Sequence, residues 1–159
     1  MQLHHTKLKP KISDIKVFLL STICLLFFGC QTPIRNGDQL TKDELAYIQN
    51  LGLLEEGETI IQFDSQGNFE QSGNFFSDKR IASYWIDDNP DKHSVQFALF
   101  EEIDSLIGHN VSKSSLLSAS YLEVFLKSGT QFKVHVDSDS AEVSSFFEEA
   151  QKQLDRIKN

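Results

Sequence analysis

His135 and Asp137 stand two residues apart in a segment of alternating polarity, so both side chains leave one face of a strand. With His109 or His93 they have the donor types of a zinc site or of an acid–base pair. The same alternation gives a plainer reading: Lys133, His135 and Asp137 form the solvent face of a strand whose other face is Phe132, Val134 and Val136. Asp87, Asp88 and Asp91 offer oxygen ligands to calcium, but the run lacks the spaced ligands and the glycine of an EF-hand loop and reads as an exposed acidic turn. Lys79-Arg80 is a single basic pair, too small for a nucleic-acid patch, and is expected to set a turn and to pair with Asp78 or Glu101 at the surface. The sequence has no Gly-x-Ser-x-Gly nucleophile elbow and no glycine-rich phosphate loop. The expectation is a protein without metal, cofactor or enzymatic activity, a hydrolase with scattered catalytic residues being the remote alternative.

These residues must be held by a mostly β frame. A first helix starts at Thr41, because Thr41 and Glu44 have the capping-box spacing, and Leu45, Ile48 and Leu51 put one apolar stripe along it before Gly52 stops it. From Glu58 the period changes to two. Strands are expected at about 58–64, 69–76, 80–87, 94–101, 104–110, 118–127 and 130–137, separated by turn-forming residues such as Ser65-Gln66-Gly67-Asn68 and Asp87-Asp88-Asn89-Pro90. Leu122, Val124 and Leu126 face Phe132, Val134 and Val136 across a tight hairpin at Ser128-Gly129. A last helix is expected from Ser140 to Lys158, with Asp139 and Glu142 as a second capping box and Val143, Phe146, Phe147, Ala150, Leu154 and Ile157 as a wide apolar stripe. Seven short strands followed by one amphipathic helix suggest a curved sheet or small barrel whose open end the helix plugs.

The N-terminus carries targeting information. Four lysines stand against one aspartate in residues 1–16, and residues 17–28, VFLLSTICLLFF, are an apolar run of twelve. Twelve is too short for a helix to span a bilayer, which takes about 20 residues, so the order reads as a signal peptide. Gly29-Cys30 closes the run and resembles the lipobox of bacterial lipoproteins, although Phe27 and Phe28 stand where that family usually has Leu and a small residue. The resemblance implies cleavage before Cys30 and lipid on Cys30; the other readings are an ordinary cleaved signal and an uncleaved anchor. Gln31 follows in place of the Asp that typically retains such proteins in the inner membrane of enteric-type bacteria, which implies an outer-membrane anchor facing the periplasm in a Gram-negative source. Residues 1–29 are then a signal peptide, 30–40 a tether containing Pro33, Asn36 and Gly37, and 41–159 one domain.

The 159 residues carry a net charge of −8, and residues 30–159 alone carry −11. So acidic a surface disfavours nucleic acid and anionic headgroups, so membrane attachment is left to the acyl chains on Cys30. With Cys30 lipidated no cysteine is left for a disulfide, and the domain depends on its core, to which ten of the thirteen phenylalanines are available.

Asn74-Phe75-Phe76-Ser77-Asp78-Lys79-Arg80-Ile81 resembles the strand–turn–strand signature of bacterial pleckstrin-homology-like and GRAM-like domains. Glu102-Ile103 with Ile107, Gly129 with Phe132, and the closing helix fall in that family's order over about residues 53–157. The resemblance implies two nearly orthogonal antiparallel sheets closed by the C-terminal helix. Phosphoinositide binding is not carried over with it, because the loop from Asp64 to Asn74 has no Lys or Arg to meet phosphates.

The functional expectation is a lipid-anchored envelope protein acting as a binding or scaffold module for another envelope protein. The alternative is a lipid-anchored inhibitor of a hydrolase such as a lysozyme or protease. With Leu122, Val124 and Leu126 in the core, the period of two places Tyr121 and Phe125 on an outer face. Either a partner uses those rings, or the first helix lies across them with Leu45, Ile48 and Leu51.

Overall fold

The computed structural model describes residues 33–111 and 119–158, all within one unit, Gln31–Asn159. The expected signal peptide, with Gly29 and Cys30, lies outside the described residues. In chain order the elements are β1 (Arg35–Asn36), α1 (Lys42–Asn50), β2 (Ile60–Asp64), β3 (Ser72–Ser77), β4 (Arg80–Trp85), β5 (Ser94–Leu99), β6 (Ile103–His109), β7 (Ser120–Leu126), β8 (Gln131–Val136) and α2 (Ser140–Lys158). All seven expected strands are present, and both helices begin where their caps place them. At α1 the Thr41 hydroxyl accepts from the Glu44 amide at 3.2 Å while the Glu44 carboxylate accepts from the Thr41 amide at 2.8 Å. Gly52, at φ +73°, supplies the left-handed residue that ends it. At α2 one Asp139 oxygen accepts from the amides of Ala141 and Glu142, whereas the Glu142 carboxylate turns to the Ser138 hydroxyl.

Two antiparallel sheets result, one of five strands in the order β1-β2-β3-β4-β5 and one of three in the order β6-β7-β8. Between them lies the larger core, where Phe76, Ile81, Ala98 and Phe100 meet Leu122, Val124, Val134 and Val136. Helix α2 completes it with Val143, Phe146, Ala150 and Leu154, the Phe146 ring standing edge-on to Phe76 at 5.0 Å. A second core covers the opposite face of the five-stranded sheet, where Ile48 of α1 and Leu53 pack on Phe63, Phe75, Ala82 and Tyr84.

Three expectations change. The tether is shorter than expected, because Arg35 and Asn36 pair with Phe63 and Gln62, and Leu40 is buried in the second core. The sheets are not closed into a barrel. From β5 to β6 the chain passes through a 3-10 turn, Phe100–Glu102, and on the other side β8 meets β2 and β3 through side chains. Asn74 Oδ1 accepts from the His135 amide at 3.2 Å and Asp64 Oδ2 from the Asp137 amide at 3.1 Å, at the places where a closing ladder would bond. The third change concerns α1, which lies on the outer face of the five-stranded sheet and leaves Tyr121 and Phe125 uncovered by its stripe.

Candidate functional site

Strand β8 crosses the inner face of the five-stranded sheet but does not cover all of it. Along β4 the inward side chains run Ile81, Ser83, Trp85, and along β5 they run Ala98, Gln96, Ser94 in register with them. Ile81 and Ala98 are buried under the second sheet, while Trp85 is 44% exposed. Past β8 the sheet emerges as a floor of Ser83, Trp85, Gln96 and Ser94, and the outer face of the three-stranded sheet rises beside it as a wall of Tyr121, Lys133 and His135. Gln66 and Ala119 complete the lining of an open groove of about 650 Å³.

Strand register builds the wall. His109, Tyr121 and His135 stand side by side across β6, β7 and β8. The Tyr121 ring stacks on His109 at 4.5 Å, meets His135 at 5.9 Å and lies beneath the Lys133 ammonium, 4.2 Å from its centroid. His109 Nε2 reaches Glu123 at 3.4 Å. Partial desolvation lowers the pKa of His135, and the neighbouring Lys133 charge lowers it further. Two aromatic surfaces, one ammonium, an imidazole and several amides and hydroxyls suit the recognition of a polar, partly acidic surface.

The residues singled out in the sequence separate in space. Tyr121 lines the groove; Phe125, opposite Ser105 and Gln131 further along β7, is half-buried and outside it. His135 and His109 are kept apart by Tyr121, His93 bonds the Asp87 carbonyl elsewhere, and no group of three metal-ligating side chains gathers among the described residues. In the acidic turn Asp87 and Asn89 accept from the amides of Asn89 and Asp91. Arg80 departs most from expectation. It is buried at 2% exposure and pairs with Glu58 at 2.9 Å and Glu55 at 2.8 Å, not with Asp78 or Glu101. Lys79 reaches Glu55 at 3.7 Å. Trp85, the single tryptophan, was missed as a site residue. A signal was present in β5, whose inward series turns from Ala98 to the polar Gln96 and Ser94 towards the loop that joins it to β4.

A second polar cluster lies behind the groove. Asp64 is fully buried; Oδ2 accepts from the Asp137 amide and Oδ1 has no hydrogen-bond partner among the described residues. Burial, with the nearby carboxylates of Asp137 and Glu142, raises its pKa to about 6 against the lowering effect of the Asp137 amide.

Neither a family model nor a curated protein sequence matches this chain. Among solved structures it is similar to a DUF1696 family protein with a pleckstrin-homology domain from Shewanella loihica. The identity is 14%, the match covers 67% of this chain and 93% of that one, and the TM-score is 0.42.

Proposed function

We propose that the chain is a binding module, held at a bacterial membrane by lipid on Cys30, and that the groove between its sheets receives an envelope protein. The observation that carries this reading is the emergence of the five-stranded sheet from under β8 with Trp85 exposed on its floor and Tyr121 on the adjoining wall. Trp and Tyr contribute large apolar areas with few rotatable bonds and dominate the energetic centres of protein interfaces. Lys133 adds charge selectivity, favouring an acidic or carbonyl-rich partner surface. The acyl chains would supply the attachment that a net charge of −11 over residues 30–159 cannot obtain from anionic headgroups.

A photo-crosslinking residue placed at position 85 of the full chain in its native envelope tests the groove, with one at position 42 on α1 as the control. Capture of one protein from position 85, lost with Lys133→Glu and absent from position 42, supports the proposal. Equal capture from both positions would reject it. For the anchor, Cys30→Ser is expected to abolish incorporation of labelled fatty acid and to release the protein on alkaline extraction.

A further inference from the structure

The groove and the point where the N-terminal segment joins the fold share one end of the five-stranded sheet. Strand β1 runs antiparallel to β2, with Arg35 opposite Phe63, so the chain before Arg35 leaves past Asp64, the last residue of β2. Strands β2 to β5 alternate in direction, which brings the last residue of β4, Trp85, and the first of β5, Ser94, to that same end. Gln66, in the turn after β2, lines the groove with them. Ile34 packs against the larger core, so the chain is held to the domain as far as that residue.

Cys30 stands four residues before Ile34. Even fully extended, four residues reach only about 14 Å. The opposite end of the sheet, the turn at Asp78-Lys79, is six residues of strand away from Trp85 along β4, or about 20 Å. A lipid on Cys30 therefore cannot hold that far end on the bilayer, because the tether is shorter than the sheet it would have to pass.

We propose that the groove faces the bilayer, and that its occupant is the membrane-proximal segment of a protein embedded in that same membrane. The inference rests on lipid at Cys30 and on the groove as a recognition surface, and it narrows the partner from any envelope protein to one that shares the anchor's membrane. Confinement of both proteins to one membrane raises the effective concentration of such a segment at the groove. Lipid headgroups are the other surface within reach. The two turns at this end carry Glu70, Asp87, Asp88 and Asp91 against Lys92, and anionic headgroups repel that balance.

The single tryptophan makes the orientation measurable in the lipidated full-length product, floated with vesicles of phosphatidylethanolamine and phosphatidylglycerol that carry a spin label on the headgroup. The control is Lys79→Trp combined with Trp85→Phe, which moves the fluorophore to an exposed position at the far end. Quenching is expected to be stronger at position 85 than at 79, and to be lost when a helical spacer of six EAAAK repeats, about 45 Å long, is inserted between Thr32 and Pro33. Protein that does not float overturns the lipid anchor and this inference with it. Protein that floats but is quenched at 79 as strongly as at 85 overturns the orientation alone. In the native envelope, a photo-crosslinking residue at position 85 is expected to capture a protein that resists alkaline extraction, joined next to its membrane-spanning segment, and the spacer should reduce that capture about tenfold or more. Capture of an extractable protein, of lipid or of nothing, or capture undiminished by the spacer, overturns the membrane-embedded partner.

Discussion

The inner face of the five-stranded sheet has two halves made by the same strands, and what lies over them is different. Under the second sheet and α2 the face is Phe76, Ile81 and Ala98, all buried. One pleat further along β4 and β5 it becomes Ser83, Trp85 and Gln96, with solvent above them. Hydrogen bonding in the ladder is continuous across the change, so backbone pairing does not distinguish the halves. Cover does: substitutions in the first half should act on folding, and substitutions in the second on recognition.

The largest expected effect tests the covered half. Phe146 fills the core from α2 with no exposed surface, and Phe146→Ala is expected to lower unfolding stability by about 3–5 kcal/mol, read by denaturant titration. A loss under about 1 kcal/mol would mean that α2 is not docked and that the halves do not differ as described. Next comes the buried Arg80. Glu58→Gln removes the charge of its buried partner and leaves only the exposed Glu55, so a loss of about 3 kcal/mol is expected, and the Glu55→Gln variant should lose much less.

Asp64 sharpens the comparison at the seam between the halves. A carboxyl whose folded-state pKa is raised from 3.8 to about 6 binds protons more tightly folded than unfolded, so its contribution to stability falls as pH rises from about 4 through 6. At pH 7 burial of the charged form therefore costs the fold, by about 3 kcal/mol at most for a shift of this size. Asp64→Asn keeps an oxygen for the Asp137 amide without the charge. The variant is expected to be at least as stable as the wild type at pH 7, with the difference disappearing near pH 4, as measured by melts across that range. A difference independent of pH would show that Asp64 is not titrating in the seam.

The smallest stability effects belong to the groove. Lys133→Glu changes solvent-facing atoms of the wall and is expected to move unfolding free energy by about 1 kcal/mol or less while abolishing partner capture. A large stability loss with capture unchanged would make the wall a piece of core.

Most of the frame was legible in the sequence because local signals carry it. Thr41 with Glu44, Asp139, and the alternation from Leu122 to Val136 each act within a few residues, and the elements they predict are present. What could not be read depends on pairings far apart in the chain. Arg35 joins a strand 28 residues away through Phe63, and Arg80 is buried because Glu58, 22 residues before it, follows it inward. The groove is of the same kind. Tyr121 was placed on an outer face by parity alone, but nothing local says that β8 stops short of Trp85, which is decided by the crossing of two sheets. The position of α1 is left open by the sequence for a related reason: its stripe declares that it must cover a surface, and the stripe fits Phe63, Phe75 and Tyr84 as well as it would fit Tyr121 and Phe125.

The central claim, that the uncovered half is the recognition surface, is tested most directly at Trp85. As the single tryptophan it can be replaced by 5-fluorotryptophan, giving one fluorine resonance from the floor of the groove. Titration with the protein captured from position 85 is predicted to shift that resonance saturably in the wild type and to leave it unmoved in Lys133→Glu, whose melting temperature stays that of the wild type. A partner that binds the wild type while the Trp85 resonance stays in place, or that binds Lys133→Glu equally well, would contradict the account.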